Sequence, residues 1–181
     1  MPHPVQASVP QLEDLFDAGR HLLGDDLMGY RNHCMRVFHF TRALAPEVPD
    51  RDRKIAIAAY FHDLGIWTAD TLDYLAPSMA LARAHLREYG PASWIAEIDA
   101  MISEHHKITP FRDPDFPLVE PFRLADRADV SCGLWRSGLD ADFVRAVQDA
   151  YPDAGFHRRL LQLGARRLRE APWDPLPMLK W

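Results

Sequence analysis

An all-α fold in a single domain is predicted by three observations. Apolar residues recur at three- and four-residue spacings along most of the chain, the period of one face of a helix. Almost no segment alternates in the two-residue manner of a strand. The 181 residues are the size of one domain, enough to bury about 70% of the surface an unfolded chain exposes, without help from disulfides.

The elements follow in order. Residues 10–23 form a first helix with Leu12, Leu15, Phe16 and Leu22 on one side, and residues 30–44 a second on which His33, Val37, Phe40 and Leu44 recur, so that His33 faces inward. A third begins at Asp50, an N-cap by residue type, and runs to Leu64, with Gly65 as its stop and His62 and Asp63 in its last turn. A fourth, over 78–89, carries His85 and ends at Gly90; a fifth, over 91–106, sets Trp94, Ile98, Met101, Ile102 and His105 in phase. Three prolines and two aspartates make KITPFRDPDFP, 107–117, a loop. Helix resumes at Val119 and carries Phe122, Asp126, Asp129 and Val130 towards Gly133; two more helices cover 140–151 and 155–170. The proline-spaced end, APWDPLPMLKW, reads as extended, packing its tryptophans on the body or on a neighbour.

Composition excludes several classes. With 48% hydrophobic and 26% charged residues and a net charge of -5, the chain is neither disordered nor a fibre. No apolar run approaches the roughly 18 residues of a membrane span, and the start has no basic-then-apolar leader, so a cytoplasmic protein with no membrane partner is expected. Lys and Arg number 21 against 26 Asp and Glu, which argues against long nucleic acid. The basic run Arg158, Arg159, Arg166, Arg167 and Arg169 reads as a solvated helix face. Cys34 and Cys132 have no metal or redox spacing and read as reduced thiols packed on helix faces.

The residues that carry chemistry are histidines and aspartates on inner faces or ends of successive helices: His33, His62, Asp63, His85, His105, His106 and Asp126. One inward histidine is ordinarily a hydrogen-bonded core residue. Together, imidazole and carboxylate are the ligands of borderline divalent metals and are costly to bury unpaired, so one bound metal site would account for all of them. His62 and Asp63 cannot share a stripe, because neighbours on a helix point about 100° apart, but each can reach an ion beyond the helix end, where the helix dipole favours a cation.

The doublet within AYFHDLG, the earlier His33 and the later Asp126 within RLADRAD resemble the HD-domain superfamily of metal-dependent phosphohydrolases, over residues 30–130. The resemblance implies an all-α HD helical bundle with His33, His62, Asp63 and Asp126 as ligands of a first metal. His85 and His105 stand where the two-metal branch places further histidines, with Asp63 bridging; His105 is preferred over His106 because it is in phase with Ile98, Met101 and Ile102. Residues 29–135 are then the metal-binding core, 1–28 an N-terminal helix packed on it, and 136–181 C-terminal helices and tail of the same domain. The expected cofactors are two divalent ions, Fe or Mn, with Zn, Co, Ni and Mg as further candidates.

That resemblance implies hydrolysis of a small phosphorylated molecule, a nucleotide among the candidates, by a metal-activated water. Asp63, Lys107 and Arg127 are the expected catalytic residues: Asp63 as the bridge, Lys107 and Arg127 as phosphate contacts beside ligand positions, with Arg36 a third cation. Asp129, three residues after Asp126, is expected to accept a hydrogen bond behind a ligand. Trp67, Tyr74 and Phe111 could stack on a base or pack in the core, and Arg112 could meet a phosphate. Two alternatives stay open: a mixed-valent di-iron oxygenase with the same ligand set, cleaving a C–C or C–P bond, and a metal-stabilised module without turnover. A homodimer is suggested by the tryptophan-containing tail.

Overall fold

The computed structural model describes residues 4–180. Among these, helices α1 (Pro10–Gly19), α2 (Leu27–Leu44), α3 (Arg51–Phe61), α4 (Gly65–Thr68), α5 (Leu75–Tyr89), α6 (Ile95–Glu104), α7 (Val119–Val130), α8 (Ala141–Ala150) and α9 (Phe156–Glu170) are joined by turns, three 3-10 segments and loops. No strand appears among the described residues; Lys107 and Lys180 form one isolated bridge. No helix is long and apolar enough to cross a membrane. The bundle is the all-α single domain that the periodicity predicts.

α2 is the axis. Twelve of its residues between Gly29 and Thr41 are buried, because α7 and α3 cover its two flanks and α8 and α9 close the remainder. α3 is buried from Ile55 to Phe61 without a polar face in that stretch, which is why small alanines alternate with its large side chains where α1, α5 and α6 press on it. α6 lies between α5, α7 and α3. One core cluster runs through these helices from Leu12 and Phe16 through Phe38 and Phe40 to Phe122 and Phe156.

Several local expectations are corrected. The first helix stops at Gly19 and continues as a 3-10 turn, so Leu22 is 38% exposed rather than on the apolar side. Asp50 occupies the N-cap position of α3 but in a left-handed backbone conformation (φ 56°), and its carboxylate caps nothing. Asp140 does cap: its side chain accepts from the amides of Asp142 and Phe143. Cys34 is buried, its thiol donating to the Ala59 carbonyl, whereas Cys132 is exposed beyond α7. In the tail Trp173 is 81% exposed, and Trp181 lies outside the described residues, as do Met1, Pro2 and His3 of the N-terminal segment. The basic face of α9 is solvated and paired, Arg166 with Asp70 and Glu170, Arg167 with Asp174.

Gly65 begins α4 instead of ending the helix before it. A Cβ there would stand 2.5 Å from the Tyr74 carbonyl oxygen and 2.9 Å from Ser78 Oγ, and the Gly65 amide donates to that hydroxyl at 2.9 Å. The chain therefore turns tightly after Asp63 because glycine lets α5 approach. Gly65→Ala is expected to cost about 1–3 kcal/mol, read as a lowered urea midpoint; an unchanged midpoint would mean that the α4–α5 corner yields without cost.

Candidate metal centre

Four chain segments deliver the site. His33 comes from the middle of α2; His62 and Asp63 from the turn between α3 and α4; His105 and His106 from the turn after α6; Asp126 from α7. The α3–α4 turn is fixed from two sides, by Ser78 on Gly65 and by Tyr30, whose hydroxyl donates to the Tyr60 carbonyl at 2.7 Å and accepts from the Asp63 amide at 3.3 Å. Tyr30 is three residues before His33 on the same face of α2, a spacing by which the sequence could show its role.

The histidine tautomers follow from their partners. His62 Nδ1–H donates to the Ala59 carbonyl at 2.8 Å and His105 Nδ1–H to the Ile102 carbonyl at 2.7 Å; His33 Nδ1–H donates to Asp129 Oδ2 at 2.7 Å. Each Nε2 is thereby aimed into one space. His33 Nε2 and His62 Nε2 are 2.9 Å apart, Asp63 Oδ2 is 3.7 and 3.5 Å from them, and Asp126 Oδ1 is 3.6 and 3.7 Å from them. Ions with bonds of about 2.0–2.2 Å hold their donors about 3–4 Å apart, so the four groups suit one divalent cation.

The same two carboxylates continue to a second position. Asp63 Oδ1 is 3.4 Å from His105 Nε2, and Asp126 Oδ2 is 3.9 Å from His106 Nδ1. His106 Nε2 meets the Tyr74 hydroxyl at 2.5 Å, which leaves Nδ1 facing the aspartates. Asp63 Oδ1, Asp126 Oδ1 and His105 Nε2 are buried and have no hydrogen-bond partner. Buried groups of this kind are costly unless something cationic lies among them. Three donor groups able to hold an ion emerge: His33, His62 and Asp126; His62, Asp63 and His105; and His105, His106 and Asp126. His105 keeps a helical backbone at the C-cap of α6 (φ -63°, ψ -26°), and it and His106 supply donors together from the turn that follows Glu104.

His85 is not brought there, which corrects its expected place as a ligand. It lies half-buried on α5, its ring between Phe61 (5.3 Å) and Tyr89 (5.4 Å), because the buried stripe of α5 is Leu75, Ser78, Ala82 and Leu86 and His85 falls at its edge. His85→Ala is expected to leave metal content unchanged by elemental analysis, where a halved content would restore it as a ligand. Arg36 is also corrected from a phosphate contact: it is buried, with Nε 2.5 Å from Asp129 Oδ1 and Nη2 2.9 Å from Oδ2. Asp129 stands behind His33 and holds its tautomer. Trp67 donates its indole N–H to Asp26 and packs on Tyr30; Phe111 packs against the core; Arg112 is exposed. Lys107 and Arg127 line a cavity of about 680 Å³ that begins at His105, His106 and Asp126, and Arg127 Nε is buried there without a partner.

In the metal-free protein the charges redistribute a proton. Burial pushes His62 down, but the Asp63 and Asp126 carboxylates outweigh it and lift it to about 9, while burial lowers His33. Burial likewise works against ionised Asp63, but His62 and His105 hold its carboxyl well below the usual range. His62 therefore donates Nε2–H to His33, and an ion that takes both nitrogens must displace that proton. Metal uptake at pH 7 is expected to release about one proton, with affinity rising about tenfold per pH unit up to about 9 and levelling above it. Titration calorimetry in buffers of different ionisation enthalpy reads this directly; uptake without proton release would place the ion elsewhere.

Comparison with known proteins agrees with this geometry. A search of the curated proteins and a search of the solved structures each return no match. The family model described as HD domain matches residues 30–130, a span that begins at the tyrosine bracing the doublet and contains every donor of the centre. With that match over more than half its length and with His33, the His62–Asp63 doublet and Asp126 around one space, the chain belongs to the HD-domain family, whose members bind divalent metals and include metal-dependent phosphohydrolases.

Proposed function

We propose that the protein is a metal-dependent phosphohydrolase acting on a small phosphorylated substrate, with two divalent ions, iron or manganese first, sharing Asp63 and Asp126. The observation that carries this reading is that both carboxylates turn one oxygen to the His33–His62 pair and the other to the His105–His106 pair, beside a cavity that Lys107 and Arg127 also line. When bound, a pair of divalent ions supplies Lewis acidity, lowering the pKa of water towards neutrality and offsetting phosphoryl charge.

The chain's own residues do the rest. Asp129, Ala59 and Ile102 fix the three imidazoles so that no reorientation is needed when an ion enters. Lys107, which also pairs with Glu104 at 3.7 Å, and Arg127 are the cations of the cavity lining and would oppose the charge that grows on the phosphoryl oxygens and on the departing oxygen. Tyr74, pushed well above its ordinary pKa by burial and then by the two aspartates, keeps its proton and holds the His106 ring. In the overall reaction a water oxygen forms the new P–O bond, the ester P–O bond breaks, and the alcohol leaves with the proton the water gives up.

The test is phosphate release from a panel of phosphate esters with added Mn(II) or Fe(II), using Asp63→Ala as the blank. Release that requires metal and vanishes in the variant is expected. Protein that holds two ions yet releases nothing would overturn the reading and direct attention to oxygen uptake, the signature of the di-iron alternative.

A further inference from the structure

The cavity beside the centre has an uneven chemistry. Lys107 and Arg127 follow the donors His106 and Asp126 in the chain and line it with them, but most of the other walls are Ile108, Val130, Leu134, Trp135 and Leu179. Two further polar side-chain groups belong to the lining, the Trp135 indole N–H and the Ser131 hydroxyl, and the hydroxyl is engaged: it donates to the Ala128 carbonyl at 3.2 Å and accepts from the Trp135 amide at 3.1 Å. The nearby backbone donors are engaged too, Leu134 N–H on the Ser131 carbonyl at 3.1 Å and Ile108 N–H on the Lys180 carbonyl at 2.8 Å.

A nucleotide would bring ribose hydroxyls and base edges that need partners, and burying them without hydrogen bonds costs about 1–3 kcal/mol each. Ile108, Val130, Leu134 and Leu179 bring no polar side chain, and Trp135 brings a single indole N–H. They offer apolar area instead: Leu134 is 84% exposed and Trp135 65% exposed, a largely uncovered apolar pair among the described residues. A second chamber of about 270 Å³ adjoins, where Asp63, Tyr74 and His106 meet walls of Ile66, Leu72, Leu160 and Met178. Val130 and Leu179 line both chambers. The volume is within the range of small-ligand sites, about 300–1,000 Å³, in which a few polar groups orient a mostly apolar body.

We propose that the substrate is a phosphate monoester of a compact apolar alcohol or phenol, its phosphoryl group between Lys107, Arg127 and the metal centre and its body against Val130, Leu134, Trp135 and Leu179. This rests on the phosphohydrolase reading for the bond that is broken, but the ligand class is a matter of binding and is testable apart from turnover.

Calorimetry on the metal-loaded full chain compares a non-hydrolysable probe, 1-naphthylmethylphosphonate, with AMP. The naphthyl probe is expected to bind at least tenfold more tightly. The double variant Leu134→Ser with Trp135→Ser changes two exposed positions and should keep its fold and metal content; it is expected to lose tenfold or more in affinity for the naphthyl probe and less than twofold for AMP. AMP binding as tightly as the naphthyl probe, or a double variant that keeps the naphthyl affinity, would overturn the proposal. Selective binding of the naphthyl probe without phosphate release from 1-naphthyl phosphate would uphold the ligand class and overturn hydrolysis instead.

Discussion

Asp63→Ala is expected to empty both metal positions together and to lower phosphate release by at least about a thousandfold, because it removes the oxygen that faces His33 and His62 and the oxygen that faces His105 in one change. Elemental analysis separates this from a one-position role: retention of one ion per chain would confine Asp63 to a single position. The stability of the metal-free variant is informative as well. Wild-type Asp63 holds a proton on His62, so without that carboxylate the pKa of His62 should fall from about 9 towards the range of a buried imidazole, visible by NMR titration.

The second large effect is expected at a residue that touches no ion. Asp129 accepts from Arg36 Nε and Nη2 and from His33 Nδ1, and all three residues are buried. Asp129→Ala leaves the Arg36 guanidinium in the core with the Tyr151 carbonyl as its remaining partner, at 2.8 Å. Breaking such a buried pair costs about 3–5 kcal/mol, a large part of the 5–15 kcal/mol that keeps an ordinary domain folded. It also frees the His33 ring, and loss of such an outer partner lowers metal affinity by about 10–100-fold. Asp129→Asn, which keeps an acceptor oxygen, should recover part of the stability. Burial raises the Asp129 carboxyl, but His33 and Arg36 outweigh it and hold it at about 2. Its contribution is therefore complete above about 4 and lost as pH falls through about 2. An Asp129→Ala protein with an unchanged urea midpoint and unchanged metal affinity would refute the role.

Helical periodicity made α2, α5, α6 and α7 legible to within a few residues, because each buries a stripe at the 3.6-residue period. The His62–Asp63 doublet, His33 and Asp126 were legible as residue types in chain order. What was not legible lies in turns and in long-range pairing. Phase favours His105 over His106, and His105 does keep the helical backbone and is buried, but His106 joins it from the turn that ends α6. His85 is suitable by its spacing, yet it falls at the edge of the buried stripe of α5 and meets the Phe61 ring instead of the centre. Arg36 reads in the chain as a free cation one turn from His33; its partner lies 93 positions away. Gly65 signals a stop by residue type and acts instead as a point of close approach.

The four segments that meet at the centre are distant in the chain: His33 and His62 are 29 positions apart, and the Asp129 that braces His33 is 96 from it. An ion shared among them is in effect a removable cross-link, closing long loops whose entropy the unfolded chain would otherwise regain. The lifetime of the native state should then be set by the rate at which metal leaves. A protease challenge with and without a chelator would show it, and cellular metal supply would govern how long each copy of the protein survives as well as whether it is active.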